Sequence, residues 1–218
     1  MFLTDARPRA RRLAASALLA AAALALTACG GDAEGQPDPT ASPAPSAAAE
    51  TPAPTPTATP SYKPASADGP AENVPLPKMP KDAKEKTHAG LESFARHWYA
   101  LLNYAYESGD VEPIRAITSA KCARCEEVFK GIEDWNMAKS WTVGGRVEVL
   151  EVSTNFTANS SEIYQLPVQI RHSAAVNYEG GTKVSNDPAT AASIDLLMAK
   201  HVRAGWKVED IGVVRPES

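Results

Sequence analysis

The chain is 218 residues long with a formal net charge of −4, and 44% of it is hydrophobic. Length alone allows one or two domains. Residues 1–28 carry four arginines and one aspartate, so a chain without them stands at −7. An acidic chain with no basic run lacks the electrostatic footprint of a nucleic-acid binder, and its mean charge also argues against broad adhesion to anionic lipid.

The first 28 residues follow the grammar of a secretory signal peptide. Arg7, Arg9, Arg11 and Arg12 form a basic start. An apolar run of 14 residues follows, Leu13 to Leu26. A membrane-crossing helix needs about 20, so this run is too short to span. It ends in Leu26-Thr27-Ala28-Cys29, which resembles the lipobox of bacterial lipoproteins. That resemblance implies cleavage before Cys29 and lipidation of its thiol with diacylglycerol and fatty acid such as palmitate. Two buried acyl chains suffice for stable anchoring, at about 0.8 kcal/mol per methylene. The expected address is the outer face of the plasma membrane, with the chain extending into the cell wall.

Residues 29–81 read as a disordered tether. Repeated Thr-Pro and Ala-Pro steps between Thr51 and Pro60 favour polyproline II, and apolar anchors are nearly absent. A single globular domain is expected over 82–218. Asp82-Ala83-Lys84-Glu85 has capping-box spacing. Leu91, Phe94, Ala95, Trp98, Leu101, Leu102 and Ala105 repeat every three or four residues, which predicts one buried helix face. Gly109 is placed to stop that helix and Asp110 to cap a short second one. A third helix is expected from about Ser119, its face carrying Cys122, Cys125, Val128, Phe129, Ile132 and Trp135.

Beyond Gly144-Gly145 the period changes to two. Tyr164 to Tyr178 alternates apolar with polar and predicts one long, bent strand. Ile194, Leu196, Met198 and Val202 predict another, turned at Ala204-Gly205 into Trp206, Val208, Ile211 and Val213. The expected fold class is therefore α+β: N-terminal helices packed in a strongly curved antiparallel sheet. Element order and the closing pair around Ala204-Gly205-Trp206-Lys207-Val208 resemble the nuclear-transport-factor-2-like cone. Gly90-Leu91-Glu92-Ser93-Phe94, His97-Trp98-Tyr99, Leu102-Asn103-Tyr104-Ala105-Tyr106, Gly109-Asp110, Cys122-Ala123-Arg124-Cys125 and Gly144-Gly145 are similar to a family of actinobacterial lipoproteins with a C-terminal domain of unknown function. The resemblance implies the location and the cone, and no activity.

Three features could carry chemistry. Cys122 and Cys125 sit at thioredoxin-like spacing, and a helix start beside Arg124 would lower a thiol pKa. The motif lies outside any βαβ unit, and extracellular thiol pairs stay oxidised, so a structural disulfide is expected. The face shared with Phe129 and Ile132 should bury it; redox exchange is the alternative. His172 lies between Ile170 and Ala174 on the inward face and is the candidate acid or base, although a core histidine bonded to a carbonyl is the commoner explanation. Asp195 and His201 take the outward parity of their strand, which leaves His172 without an acid. Tyr99 and Tyr106 flank the helix stripe and Tyr104 lies further round; their hydroxyls could line a pocket mouth, although aromatics at helical spacing are usually core. The spacing of His88, His97, His172 and His201 makes no metal site, and no cofactor is implied.

The function read from this is a non-catalytic binding or scaffolding domain of the cell envelope. Its partners would be the membrane through Cys29 and a wall component, a small apolar ligand or an envelope protein, with no nucleic acid. The alternatives are an enzyme using His172 and a redox protein using Cys122 and Cys125.

Overall fold

The computed structural model describes residues 60–214. The expected signal peptide, the lipidation site at Cys29 and most of the expected tether lie outside them. Three helices come first: α1 (His88–Ser108), α2 (Glu112–Ala116) and α3 (Ala123–Met137). Seven strands follow: β1 (Ser140–Gly144), β2 (Val147–Val152), β3 (Ile163–His172), β4 (Ala175–Glu179), β5 (Thr182–Asp187), β6 (Ser193–Val202) and β7 (Gly205–Val214). Among the described residues no helix is long and apolar enough to cross a membrane.

The buried face of α1 is the predicted one. Leu91, Phe94, Ala95, Trp98, Leu101, Leu102 and Ala105 are all in the core. The helix stops at Gly109, which takes a left-handed φ of 77° and returns its N–H to Ala105 O at 2.8 Å. Its start differs from expectation. Asp82–Lys84 is a separate 3-10 turn, and the α1 cap is Thr87, whose hydroxyl accepts from Gly90 N at 3.0 Å. Asp82 instead accepts the Ser93 hydroxyl at 2.5 Å.

The expectation of a single strongly curved sheet wrapped around the helices does not hold. There are two antiparallel sheets, one in the order β1-β4-β5 and one in the order β2-β3-β6-β7. Three helices stand beside seven strands rather than nested in one sheet. The reason is local. The strand expected from 164 to 178 breaks at Ser173-Ala174, so β3 belongs to one sheet and β4 to the other. Its partner breaks at the same level: Gly144 pairs Ala175 in the first sheet, and Val147 pairs His172 in the second. Gly144 and Gly145 make this turn with φ of 82° and 69°. A Cβ on Gly144 would sit 2.2 Å from Ala174 O, so only glycine fits.

Parity explains a second difference. In β3, Tyr164, Leu166, Val168 and Ile170 are buried as predicted. Cross-strand partners share a face, and Val168 pairs Asp195. In β6 it is therefore Asp195, Leu197 and Ala199 that are buried, not the Ile194-Leu196-Met198 series. His201 is half-buried rather than exposed. Its ring lies edge-on to Trp206 at 4.8 Å and bonds Lys84 O at 3.1 Å.

Ordered structure begins before residue 82. Lys63 and Glu72 exchange main-chain bonds of 2.9 and 2.8 Å, and Trp141 Nε1 donates to Ser66 O at 2.8 Å. These contacts hold the 60–72 stretch, which composition alone assigns to the tether.

One side-chain amide joins α1 to the break between the sheets. Asn103 Oδ1 accepts Val147 N at 2.8 Å, and Asn103 Nδ2 donates to Val147 O at 2.9 Å. Both residues are buried. Asn103→Ala would leave two buried main-chain groups unpaired, each costing about 1–3 kcal/mol. A loss of about 2–5 kcal/mol in urea unfolding is expected, against about 1 kcal/mol or less for the exposed Tyr106→Phe.

Candidate functional site

The break between the sheets opens a cavity of about 850 Å³. Its walls come from six places. The C-terminal half of α1 supplies Asn103, Tyr106 and Glu107, and α3 supplies Val128, Gly131, Ile132 and Trp135. The β1–β2 turn supplies Thr142 to Arg146. The β3–β4 break supplies His172, Ser173, Ala175 and Asn177, and the end of β5 and the loop beyond supply Asp187, Pro188 and Thr190. The 60–72 stretch also lines it, through Tyr62, Pro64 and Ala65. Tyr62 donates its hydroxyl to Glu107, and Arg146 pairs with the same carboxylate at 3.3 Å.

His172 lines this cavity, as its predicted inward parity requires. Its main chain is fixed by Thr190, which accepts from His172 N at 2.9 Å and donates to His172 O at 3.0 Å. Among the described residues its ring makes no hydrogen bond to a carboxylate. The two-residue break also reverses parity beyond it: Ala175 and Asn177 face the cavity, while Tyr178 stacks on Trp141 at 5.1 Å.

The acid that sequence parity sent outward is beneath this site. Asp195 is 9% exposed and accepts the buried Tyr99 hydroxyl at 2.8 Å. Burial raises the Asp195 pKa above its ordinary value; the Tyr99 bond and the positive fields of His172 and Arg124 oppose that rise. Burial and the Asp195 charge together push the Tyr99 hydroxyl well above its usual range. Tyr104 bonds Asp110 at 3.2 Å and belongs to the helix end, not the cavity. His97 is buried, and burial lowers its pKa.

Cys122 and Cys125 form a disulfide, with side chains 0% and 1% exposed. Cys122 caps α3, its Sγ accepting from Cys125 N at 3.2 Å. The pair lies in the same buried cluster as Phe129 and Ile132. Among the described residues no group of three His, Cys, Asp or Glu could hold a metal ion.

Fold and site define a two-sheet domain with three helices and an apolar cavity where its sheets part. The chain belongs to the DUF6318 family, a family of unknown function whose model matches residues 60–211. The match starts where the described structure starts. No curated protein sequence matches the chain. Three solved structures resemble part of it. The intermembrane-space region of the chloroplast protein ARC6 has 10% identity and a TM-score of 0.47, over 60% of this chain and 98% of that one. The beta subunit of benzoate 1,2-dioxygenase from Burkholderia mallei has 11% identity and a TM-score of 0.39, over 59% and 89%. Aln2 from a Streptomyces species has 9% identity and a TM-score of 0.38, over 63% and 94%. At these scores none of the three functions transfers.

The Asp195 pKa gives a pH signature. A carboxylate whose folded pKa is raised binds its proton more tightly in the folded state. Its stabilising contribution is complete below the unfolded value of 3.8 and is lost as pH rises through the folded one. Asp195→Asn keeps an acceptor for Tyr99 and removes the charge. The melting temperature of the variant relative to the parent should therefore rise between pH 4 and pH 7. A difference that stays flat with pH would show that Asp195 is not the strained group.

Proposed function

We propose that this is a cell-envelope lipoprotein whose folded domain binds a small, largely apolar ligand in the cavity between its sheets. The carrying observation is the cavity itself. Its volume of about 850 Å³ lies in the range of small-molecule sites, about 300–1,000 Å³. Tyr106, Val128, Ile132, Trp135 and Val143 give it apolar walls, and the Glu107–Arg146 pair with His172 and Asn177 gives a few polar points. Such a division suits binding with orientation. Against the enzyme reading, His172 lacks a bonded acid among the described residues, and Asp195 is engaged by Tyr99. Against redox exchange, both sulfurs are buried.

The address remains part of the proposal. Cys29 would carry the lipid, the Pro-rich stretch before residue 60 would give reach, and an actinobacterial envelope suits the composition. Cys29→Ala should move the protein from the membrane fraction to the medium.

The ligand reading is tested with the neutral fluorophore N-phenyl-1-naphthylamine. Saturable one-to-one binding is expected. Gly131 lines the cavity, and a Cβ there would meet nothing within 4 Å. Gly131→Phe should fill the space and weaken binding about tenfold or more, the scale of about 1.4 kcal/mol or more of lost apolar contact, without loss of stability. Unsaturable binding, or binding indifferent to Gly131→Phe, would contradict the proposal.

A further inference from the structure

The cations of this acidic chain are not spread evenly. Residues 78–88 and 200–207 together hold seven Lys and Arg against two acids. The fold brings these two stretches together. His201 Nε2 bonds Lys84 O at 3.1 Å, and Trp206 Nε1 donates to Glu85 O at 2.8 Å. The β6–β7 turn lies close enough that a Cβ on Gly205 would be 3.4 Å from the Lys84 side chain. Lys78, Lys81, Lys84, Lys86 and Arg203 are exposed, and Lys207 is half-buried. Among the described residues none of these six forms an ion pair; of the seven cations only Lys200 does, with Glu162 at 3.0 Å. Asp82 is engaged by Ser93, Glu85 is the other acid of the two stretches, and Glu162 lies in the fields of both Lys200 and Lys86, so the face keeps an excess of cations.

The patch sits at the N-terminal end of α1, and the cavity draws on the C-terminal half of the same helix. At 1.5 Å per residue, the 21-residue helix separates its two ends by about 30 Å. Leu76, two residues before Lys78, is 53% exposed. An exposed aliphatic beside clustered lysines is the arrangement that seats a protein on a charged bilayer, the cations on the headgroups and the aliphatic below them.

We propose that the surface formed by residues 76–86 and the β6–β7 turn is a docking face for anionic phospholipid headgroups. The domain would then rest on the membrane with the cavity turned away from it. Charge complementarity and Leu76 carry the assignment. It goes beyond the ligand reading and does not need the Cys29 lipid, although a lipid anchor would raise the local concentration of headgroups. Each cation at an anionic surface strengthens partitioning roughly fivefold, so several exposed cations suffice for a measurable affinity. The mean charge of the chain misses this, because the screening length at physiological salt is about 8 Å and only nearby charges count.

The test is vesicle sedimentation with the whole chain beyond Cys29, carrying no lipid, so that anchoring and docking fail separately. Vesicles of phosphatidylcholine mixed equally with phosphatidylglycerol should pull the protein down, and vesicles of phosphatidylcholine alone should not. Added salt should release it. Lys84→Glu, Lys86→Glu and Arg203→Glu together should weaken binding about a hundredfold or more. Lys121→Glu, Lys139→Glu and Lys183→Glu change the net charge equally at exposed sites elsewhere and should leave binding within about threefold, since distant charges are screened. Thermal melts of both triple variants confirm that they fold. The proposal is overturned if the mixed vesicles fail to sediment the parent chain, if the two lipid compositions behave alike, or if the two triple variants bind equally. Binding of soluble polyphosphate without binding of vesicles would also overturn it, by assigning the face to a free anionic polymer.

Discussion

The amide of Asn103 takes both main-chain groups of Val147, and this paired contact fixes the rest of the domain. Val147 opens β2, directly after the Gly144-Gly145 turn that separates the two sheets. Buried main-chain groups at such a break have no ladder partner on one side and must find another. A side-chain amide carries an acceptor oxygen and a donor nitrogen side by side, so it can pair with the N–H and the C=O of one residue together. By supplying it from α1, the fold parts its sheets without leaving the Val147 main-chain groups unpaired. The cavity is the space this parting creates, and Asn103 is one of its walls.

Two polar pairs at this end have different characters. The Asn103–Val147 contact is neutral and complete. The Tyr99–Asp195 contact keeps a carboxylate in the core, with its pKa raised by burial. Its nearest positive fields are those of His172, at the cavity, and Arg124, at the start of α3. A charge bound in the cavity would therefore be felt at Asp195 more strongly than in water. The opposite end of α1 has another chemistry, exposed lysines that outnumber the acids beside them. One helix thus links a wet, basic end to a sheltered, apolar one.

Much of this was legible in the chain. The three-four spacing of Leu91 to Ala105 gave the buried face of α1, Gly109 gave its stop, and period-two alternation gave the inner face of β3. Cys122 and Cys125 were placed on a buried face by Phe129 and Ile132, and they are bonded and buried. What could not be read depended on partners distant in sequence. Ser173-Ala174 carries no Gly or Pro to mark a break; it breaks because Ser173 bonds Arg146 across the sheet junction, through Oγ and N at 2.9 Å each. Asp195 looked outward because it is an acid among aliphatics, yet pairing with Val168 decides its side and Tyr99 makes burial tolerable. Residues 60–72 look like linker by composition. They are held by Trp141 and Glu107, about 75 and 45 residues away. The basic face vanished in the average charge because its two halves are more than a hundred residues apart in sequence.

The central claim is that α1 pins the junction of the two sheets through Val147, and amide hydrogen exchange reads this at one site. Val147 N–H lies in the first residue of a strand, beside a glycine turn, where fraying would normally expose it within the turn's own opening equilibrium. If Asn103 Oδ1 holds it as the 2.8 Å contact implies, its protection should match that of the central β3 amides at Leu166 and Val168 and approach the limit of global unfolding. Exchange orders of magnitude faster than that of Leu166 and Val168 would contradict the account, because the junction would then open without α1.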